Sequence, residues 1–328
     1  MKDVRYTCTK EVNAVIHTVT LNPALDIFID VPDFKPGEVN QASGFRTVSG
    51  GKGINVARAL KKLGAECLAY GVACGRVGDA LLSGLQVLGI SGHFARGEGE
   101  TRTNVKLTDT VSGETTDVNQ KGPPITPELC EEAYSKLAAS VRPGDTVCLC
   151  GSLPPGVPDG LYAEWITRLK ALGAKVALDA SKNALLLGIS AEPDLIKPNV
   201  AELSSICGKE LKTNAEIQAE CERLVDSGVG MIALSMGTKG AMFVSSEASV
   251  FVPGIRVFVR STTGAGDAML ASLIFALERG DALPDAAAFS VAFSAAHVAS
   301  VPGSEADEET VNRLLQLVRD KAARQEAE

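Results

Sequence analysis

Short apolar runs alternate along this chain with stretches whose apolar residues recur every three to four positions, the spacing that gathers them on one face of a helix. In the first half a strand over Ala14 to Leu21 leads to a helix over about Ile54 to Leu63, then to the strand ECLAYGVA and a helix near Ala80 to Leu88. The second half repeats the order with DTVCLCG, a helix over Tyr162 to Leu172, KVALDA, DLIKPN, a helix over Ala215 to Ser227, and MIALSMG. Strands over Ala241 to Val244 and Val250 to Val259 then precede two long helices, Ala265 to Leu277 and about Asp285 to Ser300. Such alternation predicts an α/β fold on a parallel sheet, its second half a layer of nucleotide-binding size.

Two segments break the rhythm, residues 26–48 and 101–122. Both alternate polar with apolar residues, and the second reads as a hairpin with Ser112 and Gly113 at its tip, each strand keeping one partly exposed face. Together they suit a small sheet laid over one edge of the main domain as a water-excluding lid; an antiparallel edge of the main sheet is the other arrangement the pattern allows. The tail beyond Asp307 is charged and reads as a solvated helix.

Composition narrows the class. With 328 residues, 45% hydrophobic and 22% charged, the chain is of ordinary globular make-up, and the unbroken alternation favours one domain over residues 15–328. A net charge of −8 argues against nucleic acid or an anionic membrane as partner. No stretch reaches the roughly 18 apolar residues of a membrane span, and the polar extension over residues 1–14 has no apolar leader. The eight cysteines are scattered without a CxxC pair, so Cys148 and Cys150 read as buried thiols and the chain as cytoplasmic.

Ser261 to Ala268, STTGAGDA, follows a strand and opens an apolar helix. Bare N–H groups of Gly264, Ala265 and Gly266 at a helix start would make an anion hole. Asp267 beside it would repel an anion unless it takes a proton from an attacking hydroxyl; a plain first-turn helix acid is the alternative. Gly50, Gly51, Lys52 and Gly53 precede another helix, where glycines admit a polyhydroxylated ligand and Asn55 can bond its hydroxyls, unless the loop is only a tight turn. It is not a Walker loop, since Lys52 stands between glycines.

Ser235 to Gly240, SMGTKG, and Lys197 to Glu202, KPNVAE, each follow a strand, at the end where open α/β sheets bind ligands. Asn199 and Glu202 share a helix face, so Glu202 either helps hold a hydrated Mg²⁺ or is a solvated acid. Arg102 and Lys106 share a strand face and suit a phosphate, or are simply exposed cations; Ser152 ends the strand before GSLPPG. His17, His93 and His297 are isolated and carry no assigned chemistry, His297 serving packing or at most an adenine contact.

These segments, with TLNPALD at Thr20 to Asp26, resemble in their order the ribokinase-like carbohydrate kinases of the phosphofructokinase-B type, over nearly the whole chain. The resemblance implies a three-layer α/β/α sandwich with a small β-sheet lid, through which members can pair as homodimers. Thr101 to Leu107, the Gly113–Glu114 turn and Gly122–Pro123 look most like 1-phosphofructokinases, with tagatose-6-phosphate kinases next. By that resemblance Asp26, Gly50, Gly51, Lys52, Asn55, Arg102, Lys106 and Ser152 would bind the sugar phosphate. Lys197, Asn199, Ser235, Gly237, Thr238, Gly240, Gly264 and Gly266 would hold ATP, Glu202 would organise Mg²⁺, and Asp267 would be the general base. The chain departs from the pattern at Thr262–Thr263 and in its first 14 residues. A sugar-phosphate-binding regulator without catalysis would not need Asp267, and a nicotinamide dehydrogenase would need a GxGxxG that the first strand lacks.

Overall fold

A computed structural model describes residues 14–301 and 303–326; the extension, apart from Ala14, lies outside them. The chain forms β1 (Ile16–Thr20), β2 (Ala24–Val31), β3 (Gly44–Gly50), α1 (Lys52–Lys62), β4 (Cys67–Cys74), α2 (Gly75–Val87), β5 (Ser91–Gly97), β6 (Arg102–Asp109) and β7 (Thr115–Val118). Then come α3 (Pro127–Ala138), β8 (Thr146–Cys150), α4 (Leu161–Ala171), β9 (Lys175–Asp179), α5 (Lys182–Ile189), β10 (Leu195–Ile196), α6 (Val200–Cys207) and α7 (Asn214–Asp226). β11 (Met231–Ser235), β12 (Gly240–Ser245), β13 (Ser249–Pro253), α8 (Ala265–Glu278), α9 (Leu283–Ala299) and α10 (Glu308–Glu326) complete it.

Nine strands make one sheet in the order β13-β12-β11-β10-β9-β8-β1-β4-β5. From β11 to β5 the pairing is parallel, and β12 and β13 close the far edge antiparallel. Helices cover both faces, so central strands such as β1 and β8 are buried along their whole length. In β8, Cys148 and Cys150 pack into one core with α1, α8, α9 and α10. Val147 and Leu149 pack into the other, with α3, α4 and α7. Register carries Thr20, Cys150 and Asp179 side by side, so the carboxyl ends of β1, β8 and β9 share one rim, the usual place for a ligand.

Segments 26–48 and 101–122 contribute a separate four-stranded sheet, β3-β2-β6-β7, rather than an edge of the large one. β2 runs antiparallel to β3 and parallel to β6, and β7 returns antiparallel along β6. Asp26 lies opposite Asn104 and Phe28 opposite Lys106, so alternation turns these four toward the main body, where all are buried. The other face stays half-exposed, with Phe45 68% and Val118 59% accessible.

Three readings of the sequence change. The last expected strand ends at Pro253 instead of Val259, because Gly254 turns away to bond the Lys239 carbonyl and Pro–Gly is a natural stop. Residues 127–138, 182–189 and 91–97, given no element from the pattern, form α3, α5 and β5. The tail is a helix but is not simply solvated: Val311, Leu314 and Val318 are buried, an i, i+3, i+7 stripe hidden among charged neighbours. Leu314→Ala should therefore destabilise the protein by about 3 kcal/mol, the usual cost of emptying a core leucine site. Urea unfolding measures it, and a cost below about 0.5 kcal/mol, the scale of a surface change, would return the helix to solvent.

Candidate active site

Carboxyl ends of strands and starts of helices meet in a cavity of about 390 Å³. Lys197, Asn199, Ser235, Thr263, Gly264, Gly266 and Asp267 line one side; Asp26, Arg102, Asn104 and Lys106 of the lid line the other; Gly51, Lys52 and Asn55 lie between. Lys52, Arg102, Lys106 and Lys197 outnumber Asp26 and Asp267, an excess of positive charge in an acidic protein that suits a polyanionic ligand.

At the turn into α8, Gly264 adopts φ 80°, and a Cβ there would stand 3.0 Å from His297 Nε2. A side chain at Gly266 would stand 2.9 Å from Lys197 Nζ. Gly264 thus suits a left-handed backbone that other residues rarely adopt, and a side chain at Gly266 would have to displace the Lys197 ammonium. Among the described residues the N–H groups of Gly264 and Gly266 have no partner, whereas Ala265 N–H donates to Thr262 at 3.3 Å. The hole is therefore narrower than the motif suggested.

Asp267 sits in the first turn of α8 with 5% of its surface exposed. Its Oδ2 accepts from Asn55 Nδ2 at 2.8 Å. Burial raises the Asp267 pKa, and the neighbouring Asp179 carboxylate raises it further, against Lys52, Asn55 and Lys197. Asp179, which the sequence showed only as the last residue of the strand KVALD, is fully buried. It stands 2.7 Å from Lys52 Nζ and 3.5 Å from Lys197 Nζ. Burial by itself would lower the Lys52 pKa, but the carboxylates of Asp179, Asp267 and Glu202 hold it above its ordinary value. An acid ending the apolar run Val176 to Leu178 was the one available signal for Asp179.

On the lid, Asp26 Oδ1 accepts from Asn104 Nδ2 at 2.8 Å. Burial pushes the Asp26 carboxyl up, only partly offset by Asn104, Lys106 and Arg102. Lys106 Nζ pairs with Asp117 at 3.0 Å. Arg102 donates to the carbonyls of Asn22, Pro23 and Gln120, which ties the lid to the chain leaving β1 and keeps one N–H on each terminal nitrogen for a ligand. Asn104 and Asp117 were legible only as further members of the strand face that Lys106 defines.

Other expected residues lie outside the cavity lining. Ser152 is exposed and accepts from Asn22 Nδ2 at 3.4 Å; Gly50 ends β3. Gly237 and Thr238 form a single 3-10 turn after β11, and Gly240 opens β12. Glu202 is engaged in a reciprocal cap: its Oε2 accepts from Asn199 N–H while Asn199 Oδ1 accepts from Glu202 N–H, both at 2.9 Å. Among the described residues no three His, Cys, Asp or Glu side chains gather closely enough to hold a metal ion. His297, read as packing or at most an adenine contact, places Nε2 3.0 Å from the Thr263 carbonyl.

The chain is similar in sequence and fold to known proteins. The 1-phosphofructokinase of Haemophilus influenzae is 36% identical over 308 residues, 93% of this chain and 98% of that one. The crystal structure of phosphofructokinase-2 from Escherichia coli with substrates and products superposes with a TM-score of 0.89 at 27% identity, covering 93% of this chain and 100% of the other. Ribokinase of Thermotoga maritima shares the fold, with a TM-score of 0.73 at 23% identity over 92% of this chain and 99% of its own. Residues 19–310 match the model of the pfkB family carbohydrate kinases. The chain belongs to that family and is a sugar-phosphate kinase, a phosphotransferase with a hydroxyl acceptor.

Proposed function

We propose that this kinase is a 1-phosphofructokinase that converts fructose 1-phosphate and ATP to fructose 1,6-bisphosphate and ADP, with Asp267 as general base. The observation that carries the reading is the buried Asp267 carboxyl beside the unpaired Gly264 and Gly266 N–H groups, facing the cations of the lid. A carboxyl held above its usual range is a stronger base than a free one, and N–H donors at a helix start favour the charge that develops on a transferring phosphoryl group.

In this reading Asp26, Asn104, Gly51 and Asn55 bond the sugar hydroxyls, while Arg102 and Lys106 hold the phosphate the sugar already carries. Lys197, Asn199 and Ser235, with the loop through Gly237, Thr238 and Gly240, hold the nucleotide. The sugar O6 attacks the γ-phosphorus in line, its proton passes to Asp267, and the bond from that phosphorus to the bridging oxygen breaks as ADP leaves. Lys52 and Lys197 steady the charge moving between donor and acceptor. Mg²⁺, when bound, would neutralise phosphate charge; the Glu202 oxygen outside the cap, phosphate oxygens and water fit its taste for few protein ligands. Closure of the lid would keep water from the donor.

Residues 15–328 act here as one kinase domain with the lid segments 26–48 and 101–122 inserted. Cysteine usage favours the cytoplasm. The apolar outer face of the lid, with Phe45 and Val118 exposed and Ile27, Ile29, Val105 and Leu107 half-buried, fits a second copy of the chain in a homodimer.

ADP release with MgATP should be fastest with fructose 1-phosphate among that sugar, tagatose 6-phosphate, fructose 6-phosphate and ribose. Preference for tagatose 6-phosphate would reassign the sugar, and no turnover with any would favour a regulator. Asp267→Asn should fold and bind ATP while kcat falls by about 10² or more; near-normal turnover would remove the base. Phe45→Glu should convert a dimer to monomers in sedimentation equilibrium, and a wild-type monomer at micromolar concentration would end the lid pairing.

A further inference from the structure

Next to the anion hole, outside the cavity lining, lies a second group of charges that the chemistry above does not use. His297, in the last turn of α9, points Nε2 at the Thr263 carbonyl, 3.0 Å away, and Nδ1 at Glu305 Oε2, 3.7 Å away. The other oxygen of Glu305 is 3.0 Å from Arg58 Nη2 of α1, and Arg58 also donates to the Gly303 carbonyl. His297 Nδ1 and Glu305 Oε2 are both buried and have no other partner among the described residues.

This geometry specifies a protonation state. A carbonyl only accepts, so Nε2 must carry hydrogen. A neutral ring would then turn a bare Nδ1 lone pair toward a carboxylate, leaving two buried acceptors facing each other, whereas the imidazolium supplies the missing N–H. Charged groups on every neighbouring element bear on the balance: Glu305 and Arg58 behind the ring, Asp267 in the first turn of α8, and Lys197 beyond Gly266. Burial alone would lower the ring's pKa, but Glu305, the Thr263 carbonyl and Asp267 outweigh it and hold the pKa above its ordinary 6.5.

What the ring grips is the backbone that forms the hole. Thr263 immediately precedes Gly264, whose left-handed φ aims the free N–H groups. The chain just before it hangs from the end of α9, with Arg260 N–H and Ser261 N–H both donating to the Val298 carbonyl. We propose that His297 is a positioning residue of the anion hole: its imidazolium, held between the Thr263 carbonyl and the Glu305 carboxylate that Arg58 anchors, fixes the turn that aims the Gly264 and Gly266 N–H groups. The role in turnover rests on the kinase reading above; the clamp itself does not.

The sign of the pH dependence follows. With the folded pKa raised, the clamp is fully present below about 6.5, the ordinary histidine value, and is lost as pH rises through the folded value. The chain has 3 histidines, so NMR of the ring signals in the intact protein can follow His297 with one variant as assignment. His297 should titrate above 6.5, and Glu305→Gln should lower its midpoint by about one unit, the usual effect of losing one close opposite charge. The amide signals of Gly264 and Gly266 should move with that same midpoint, and in His297→Gln this movement should vanish. That variant keeps an N–H for Thr263 but no charge. Its kcat should fall about tenfold with KM for the sugar phosphate changed less than about twofold, the mark of a transition-state contact. Amides that ignore the His297 midpoint, or an unaltered kcat in a His297→Gln protein that melts like the wild type, would overturn the proposal. No turnover by the wild type would strike the kinase reading alone, and the clamp would then stand or fall on the two titrations.

Discussion

A carboxylate fully removed from water has to be paired, because an isolated buried charge costs several kcal/mol. Asp179 meets that demand with two lysines brought from different parts of the chain, Lys52 from the start of α1 and Lys197 from the end of β10. The cluster therefore pins three loops at the rim of the large sheet to one point. It also sets the electrostatics next door: Asp179 raises Asp267, while Lys52 and Lys197 oppose that rise. One buried acid thus fixes where the two cations stand and how strongly the neighbouring carboxyl holds a proton.

Around that point the site divides by element. The rim of the large sheet and the start of α8 supply the hole, Lys197, Asn199 and Ser235, whereas the small sheet supplies Asp26, Arg102, Asn104 and Lys106. Arg102 reaches from β6 to the carbonyls of Asn22 and Pro23, so it belongs to the junction as much as to the cavity. Next to the hole, α9 supports the turn through His297 and through Ser294, which donates to the Ala265 carbonyl at 2.8 Å.

Much of this was legible in the order of residues. Strands buried on both faces, such as TVCLC, show as unbroken apolar runs, and GGKG and TTGAGD announce backbone that must come close to something. What stayed hidden depended on distance in sequence. Asp179 and Lys52 are 127 residues apart, and neither gives sign of the other. His297 reads as one more polar residue on an alanine-rich helix until the fold sets it against Thr263. Glu202 looked like a free carboxylate, but the same spacing that put it beside Asn199 also closes a helix cap. α10 was mistaken for a solvated helix because its charge hid three buried positions.

The small sheet has a consequence for descent as well as for chemistry. Its inward face, Asp26, Asn104 and Lys106, hangs from strands that take no part in the nine-stranded sheet, while Asp179, Lys197 and Asp267 are rooted in elements that the two cores enclose. Under the proposed assignment, substitution on the former reshapes what sugar is accepted at little expense to the two cores, whereas substitution on the latter disturbs interior and reactive groups together. On that assignment, lineages sharing this architecture are free to diverge in the acceptor they take while the apparatus for moving the phosphoryl group stays unchanged.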